Sequence, residues 1–214
     1  MRKLIMVVAL GLLASCSHAD SNDSSSESSQ HYSSQEMIES SDPTEVDVAE
    51  AILQEMTLEE KVVKRLNEKG LVLATAESCT GGLIAKRITD VSGSSSVFNC
   101  GIVSYSNAIK ESVLGVQHET LETYGAVSEQ TVREMVKGVL KISGADVAVS
   151  VSGIAGPNSD NTQKPVGLIF LAISDGKNIT VKQLNNTFKE NIRDNNRQSA
   201  SDEALKMILS VVGD

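Results

Sequence analysis

Ala74-Thr-Ala-Glu-Ser78-Cys-Thr-Gly-Gly82 lies between an apolar, strand-like run, Leu71-Val-Leu-Ala-Thr75, and a helix-like run from Leu83 to Thr89. A strand that turns through Ser-Cys-Thr-Gly-Gly into a helix is a unit of an α/β fold. It also sets a hydroxyl nucleophile at a helix N-terminus, where unpaired backbone N–H groups favour anions and developing oxyanions. The glycines permit a tight turn and close approach of a ligand. An N-cap followed by a flexible turn has the same appearance, so the rest of the chain has to decide.

Outward from this stretch, strand and helix patterns alternate. Pro43 opens a helical pattern carrying Val46, Val48, Ile52, Leu53 and Met56. Thr57-Leu-Glu-Glu60 has the form of a capping box and starts a second helix, with Val62, Val63 and Leu66 as its apolar stripe and Gly70 as its stop. Strands are expected over 71–76, 101–105, 146–151, 166–174 and 179–184, the last two joined by a hairpin turn at Asp175-Gly176. Helices are expected over 81–89, near 107–114 and 119–124, and from a Ser128 cap to Ile142 before Gly144. An amphipathic helix over 199–212 closes the chain. Alternation of this kind implies a layered sheet, and the hairpin makes one strand pair antiparallel, so the sheet is mixed.

Further stretches bear on chemistry: Gly101-Ile-Val-Ser-Tyr105-Ser-Asn107-Ala-Ile-Lys110, Tyr124-Gly-Ala-Val-Ser128, Val151-Ser-Gly-Ile-Ala-Gly-Pro157 and Lys164-Pro-Val-Gly167. With the Ser78 stretch, and in this order, they resemble the C-terminal domain of the CinA family, the nicotinamide-mononucleotide amidohydrolases, from about Leu58 to Val212. The resemblance implies a three-layer α/β/α fold with a mixed, mostly parallel five-stranded sheet. It implies deamidation of a pyridine mononucleotide without a cofactor or metal. A catalytically weak nucleotide-binding protein of the cell envelope on the same fold is the alternative.

Amide hydrolysis needs a nucleophile, a base and an oxyanion site. The resemblance gives Ser78 as nucleophile, Lys110 as base and Tyr105 as a relay or orienting group. A lysine serves as a base when burial lowers its pKa. His118 falls outside every such stretch. Cys79 is a rival nucleophile, because a helix N-terminus lowers a thiol pKa, but neighbouring residues point in different directions and the resemblance favours Ser78. Thr80, Gly81 and Gly82 offer backbone donors to a phosphate. Ser152, where the family usually has Thr, and Gly153 follow the third strand and are expected to contact substrate. Arg193 is the expected phosphate cation. The family pattern there is Phe-x-Gly-x-Arg, whereas this chain reads Phe188-Lys-Glu-Asn-Ile-Arg193, one residue longer and with Glu190 in place of the glycine. Arg197 is the second candidate.

Met1-Arg-Lys, the apolar run from Leu4 to Ala14 and Leu13-Ala-Ser-Cys16 have the form of a lipoprotein signal ending in a lipidated cysteine, over 1–16. An ordinary secretory signal, or a start at Met56 and a cytoplasmic protein, are the other readings. Residues 17–42 are rich in Ser, Asp, Glu and Gln and are expected to form a polar, disordered tether, leaving 43–214 as one domain. This implies a membrane partner through lipid on Cys16. A net charge of −9 and the absence of Trp argue against a nucleic-acid partner. The three cysteines and His18, His31 and His118 form no metal-ligand spacing. Relatives of this kind often form homodimers, although no stripe here marks an interface.

Overall fold

The computed structural model describes residues 55–159 and 162–213. The leader, Cys16, the tether and most of the helical pattern from Pro43 lie outside the described residues. Helix α1 (Leu58–Lys69) opens with the expected capping box: Thr57 Oγ1 accepts from the Glu60 amide and Glu60 Oε2 accepts from the Thr57 amide. Strand β1 (Leu73–Glu77) follows, then α2 (Leu83–Thr89), β2 (Phe98–Val103), and the short helices α3 (Asn107–Ser112) and α4 (His118–Tyr124). Helix α5 (Glu129–Ser143), capped by Ser128, leads to β3 (Val147–Gly153), β4 (Leu168–Ser174), β5 (Ile179–Asn185) and α6 (Ile192–Val212).

The five strands form one sheet in the order β2-β1-β3-β4-β5. β1 is parallel to β2 and to β3, while β4 is antiparallel to both β3 and β5. Four strands therefore run one way and β4 runs against them. The hairpin expected from Asp175-Gly176 is present, and a second antiparallel pairing, β3 with β4, accompanies it. Strand period two sorts the side chains between the layers. Leu73, Val147, Val149 and Val151 pack with Leu66 of α1, Ile84 and Ile88 of α2, and Leu205 and Ile208 of α6. Ala74, Ala76, Ala148 and Ala172 face Val132, Met135, Val136 and Val139 of α5. Small residues on that face let α5 lie close to the sheet. The result is the three-layer α/β/α fold.

Register places the site. Glu77 of β1 is level with Val103 of β2 and Val151 of β3. The ladder runs one residue further: the Ser78 amide donates to Val151 O and the Ser104 amide to Glu77 O. Ser78, Ser104 and Ser152 thus stand side by side at the carboxyl ends of three parallel strands, where open α/β sheets take ligands. Helix α6 begins at Ile192 rather than near residue 199. Its first turns are polar and carry no apolar period. Tertiary bonds hold them instead: Asn196 Nδ2 donates to Ala155 O, and Arg197 Nε and Nη2 donate to Thr80 O.

Candidate active site

Ser106 caps α3, its hydroxyl accepting from the Ile109 amide, and that short helix carries Lys110 back over the strand ends. Lys110 is 1% exposed. Its Nζ donates to Ser104 O at 2.7 Å and to Ser78 Oγ at 3.1 Å. Burial pushes the ammonium down from its ordinary 10.5 to about 8, against a smaller upward pull from Cys79. A neutral fraction is therefore available near neutral pH, and its lone pair can take the proton of the hydroxyl it touches.

The neighbouring thiol is disabled by the same environment. Cys79 is 6% exposed, and burial pushes it up to about 12, with Glu77 adding to the rise. It stays protonated, so of the two nucleophiles open in the sequence the geometry favours Ser78. Cys79 and Cys100 are both free thiols.

Glu77 is the residue that the sequence reading missed. Its side chain is on the opposite face of β1 from Ser78 and is fully buried. Glu77 Oε2 accepts from the amides of Gly82 and Ile84, and Oε1 accepts from the amide of Ala85 at 2.8 Å. The N-terminus of α2 is thus already filled by an internal anion. Two of the amides expected to bind phosphate, those of Gly81 and Gly82, are committed within the turn. Gly82 gives its N–H to Glu77, and Gly81 gives its own to Ser78 O. Thr80 is fully buried, its carbonyl held by Arg197. None of the three lines the cleft beside Ser78. A glutamate ending an otherwise apolar strand was the available signal.

That cleft, of about 230 Å³, is lined by Ser78, Cys79, Tyr105, Lys110, Ala126, Val127, residues 152–156, Asn158 and Arg193. It holds two cationic side chains and no carboxylate, and therefore suits an anionic ligand. Among the described residues no cluster of His, Cys, Asp and Glu is arranged to hold a metal. Ser152 and Gly153 are both present, but the Ser152 hydroxyl donates to Ala126 O at 2.7 Å. Its proton is spent on the fold, which leaves its oxygen as an acceptor. Gly153 lies against β4, where a Cβ would meet Ile169 Cγ1 at 2.7 Å.

Tyr105 is 61% exposed, and its hydroxyl accepts from Arg193 Nη2 at 3.0 Å. The phenol, expected to relay a proton or to orient Lys110, bonds to the arginine on the other side of the cleft, and Lys110 is held by Ser104 O. Arg193 also donates to Gly156 O at 3.0 Å, and it has no ion-pair partner among the described residues. Arg197 is committed to Thr80 O, so Arg193 is the cation that the cleft presents. Asn191, two residues before Arg193 and so at the glycine's distance from the arginine in the family pattern, has φ 44°, in the left-handed region that favours glycine. Asn is among the few other residues that adopt it readily. Counted back from Arg193, the extra residue falls between Phe188 and Asn191.

A family model described as CinA C-terminal domain matches residues 55–212. A protein of Thermoanaerobacter sp. (strain X514) named "Putative competence-damage inducible protein" is 53% identical over 130 residues, covering 61% of this chain but only 32% of that relative. "Nicotinamide-nucleotide amidohydrolase PncC" of Enterobacter agglomerans is 51% identical over 148 residues, 68% of this chain and 89% of that protein. Among solved structures, the competence/damage inducible protein CihA of Agrobacterium tumefaciens superposes with a TM-score of 0.69 at 40% identity, over 73% of this chain and 94% of that one.

Proposed function

The chain belongs to the CinA C-terminal domain family, and from that premise we propose that it is an amidohydrolase converting nicotinamide mononucleotide and water to nicotinate mononucleotide and ammonia. The observation that carries this reading is the buried Lys110 Nζ at 3.1 Å from Ser78 Oγ, with its pKa brought down to about 8. The similarity to the Enterobacter agglomerans protein, whose name states this activity, supports the choice of substrate.

In the first half-reaction Ser78 Oγ attacks the carboxamide carbon while its proton passes to neutral Lys110. The oxyanion forms beside the amide of Cys79, which lines the cleft next to Ser78. Lys110 returns the proton to the departing nitrogen, ammonia leaves, and an ester to Ser78 remains. Water then attacks the ester with Lys110 again taking a proton, and the acid and the free serine are released. Arg193, a cation of the cleft with no ion-pair partner among the described residues and no part in the proton transfer, holds the phosphate. On sequence alone we also propose lipid attachment at Cys16 and a cell-envelope location. Incorporation of labelled palmitate that persists in Cys16→Ala would exclude that attachment.

Ammonia release from nicotinamide mononucleotide by the purified protein tests the activity. Turnover is expected, falling about 10⁴-fold or more in Ser78→Ala. A folded wild-type protein that binds the mononucleotide and releases no ammonia would overturn the enzymatic reading.

A further inference from the structure

Lys164-Pro-Val-Gly167 takes no part in the chemistry above, yet its first residue is bonded into the cleft wall. Lys164 Nζ donates to the carbonyls of Tyr124 and Val127, both at 2.6 Å. Between them, Gly125 O accepts from Ser128 Oγ at 3.0 Å and Thr131 Oγ1 at 2.8 Å, and Ala126 O accepts from Ser152 Oγ at 2.7 Å. Every carbonyl from Tyr124 to Val127 is therefore held by side-chain donors, drawn from α5, from β3 and from Lys164. Loop carbonyls ordinarily face water. Gly125 has φ 76° and ψ 168°, backbone that only glycine adopts readily, and a Cβ there would lie 3.3 Å from Lys164 Nζ.

The amides of the same stretch are left over. Ala126 and Val127 both line the cleft, and neither N–H has a partner among the described residues. Val127 is 5% exposed, and a buried N–H without a partner is rare in folded proteins. In a trans peptide the N–H is directed opposite to the C=O. Tying Gly125 O to α5 and Ala126 O to β3 therefore turns the next two N–H groups away from those elements. The strip lies on the β3 side of Ser78, whereas Lys110 approaches from the β2 side, where Ser104 holds it.

We propose that the Ala126 and Val127 amides form a main-chain strip that binds oxygen acceptors in the ribose-phosphate part of the substrate, and that Lys164 is the positioning residue that holds the strip in place. This rests on the reading of the cleft as a nicotinamide-mononucleotide site. Main-chain donors fixed in advance lose little entropy when a ligand arrives.

Amide NMR of the ¹⁵N-labelled Ser78→Ala protein, titrated with nicotinamide mononucleotide and separately with nicotinamide, reads binding without turnover. The mononucleotide is expected to move the Ala126 and Val127 amide protons downfield and slow their exchange, and nicotinamide alone to leave them in place. Shifts around Arg193 and Cys79 without shifts at Ala126 and Val127 overturn the strip while the substrate reading stands. Equal shifts with nicotinamide alone overturn the assignment to ribose-phosphate. A cleft that responds to neither ligand overturns both. In the active protein, Lys164→Met is expected to raise KM about tenfold with kcat down less than threefold, and Lys164→Arg to recover most of it. A loss confined to kcat would overturn the positioning role.

Discussion

Two turns feed helices into the same layer and border the same cleft, and they are finished in opposite ways. The turn before α2 is filled: the Glu77 carboxylate accepts from the Gly82, Ile84 and Ala85 amides, and no room is left for an outside anion. The turn before α6 is open: Asn191 makes no side-chain cap, and Arg193 points its charge at two neutral oxygens, Gly156 O and Tyr105 Oη. A helix N-terminus attracts anions in either case. The filled turn spends that attraction on holding Ser78 rigidly next to Lys110. The open turn keeps a cation for a ligand. Chemistry and binding are thereby separated across the cleft.

The largest expected effect tests the chemical side. Lys110→Met is expected to lower kcat about 10⁴-fold while binding is largely kept. In the wild type, kcat/KM is expected to rise with pH through about 8, because only neutral Lys110 accepts the proton. The same residue has an opposite signature in stability. Its folded pKa lies below its unfolded 10.5, so the full cost of burying the ammonium is present below pH 8. Between about 8 and 10.5 the unfolded chain binds the extra proton, and stability rises with pH by about 3 kcal/mol in total. Denaturant titrations of wild type and Lys110→Met across that range check this. A stability difference that stays flat with pH breaks the assignment.

Glu77→Gln comes next. An amide group in place of the carboxylate turns a donor toward the α2 amides and weakens the bonds that remain, at a cost of about 2–3 kcal/mol. The melting temperature and kcat are expected to fall together, because the filler and the nucleophile share one turn. Loss of stability with kcat unchanged would separate them. Arg193→Met is expected to act on the other side, raising KM for the mononucleotide about 30-fold through the lost charge-assisted bonds and lowering kcat far less. Arg197→Met is the control: its guanidinium serves Thr80 O, so stability and kcat respond before KM does.

The filled turn was half legible in the sequence, and the open one less so. Strand, turn and helix around Ser78 follow from an apolar run, a glycine pair and the next apolar run. Lys110 as its partner came from a resemblance in an ordered set of stretches, and its burial needed the fold. Glu77 escaped because its role depends on strand direction: it reaches the far face of β1, where only packing brings the start of α2. The commitment of Ser152 to Ala126 O was invisible for the same reason, since 26 residues separate donor from acceptor. The early start of α6 carries no apolar period, so tertiary bonds from Asn196 and Arg197 had to define it.

The smallest expected effect bears on how the open turn is built. A left-handed residue before Arg193 sets where the helix begins and so where the guanidinium stands, and here that residue is asparagine at φ 44°. Asparagine pays for this conformation less than most side chains do, but more than glycine. Asn191→Gly is therefore expected to keep KM and to leave stability within about 1 kcal/mol of wild type, relief of the left-handed strain offsetting the greater freedom of the unfolded chain. Asn191→Val keeps the chain length and forbids the conformation. It is expected to cost about 1–2 kcal/mol and to raise KM in the manner of Arg193→Met. If Asn191→Val left KM untouched while Glu190→Val raised it, the left-handed position would not be what aims Arg193, and the open turn would owe its geometry to the residue before.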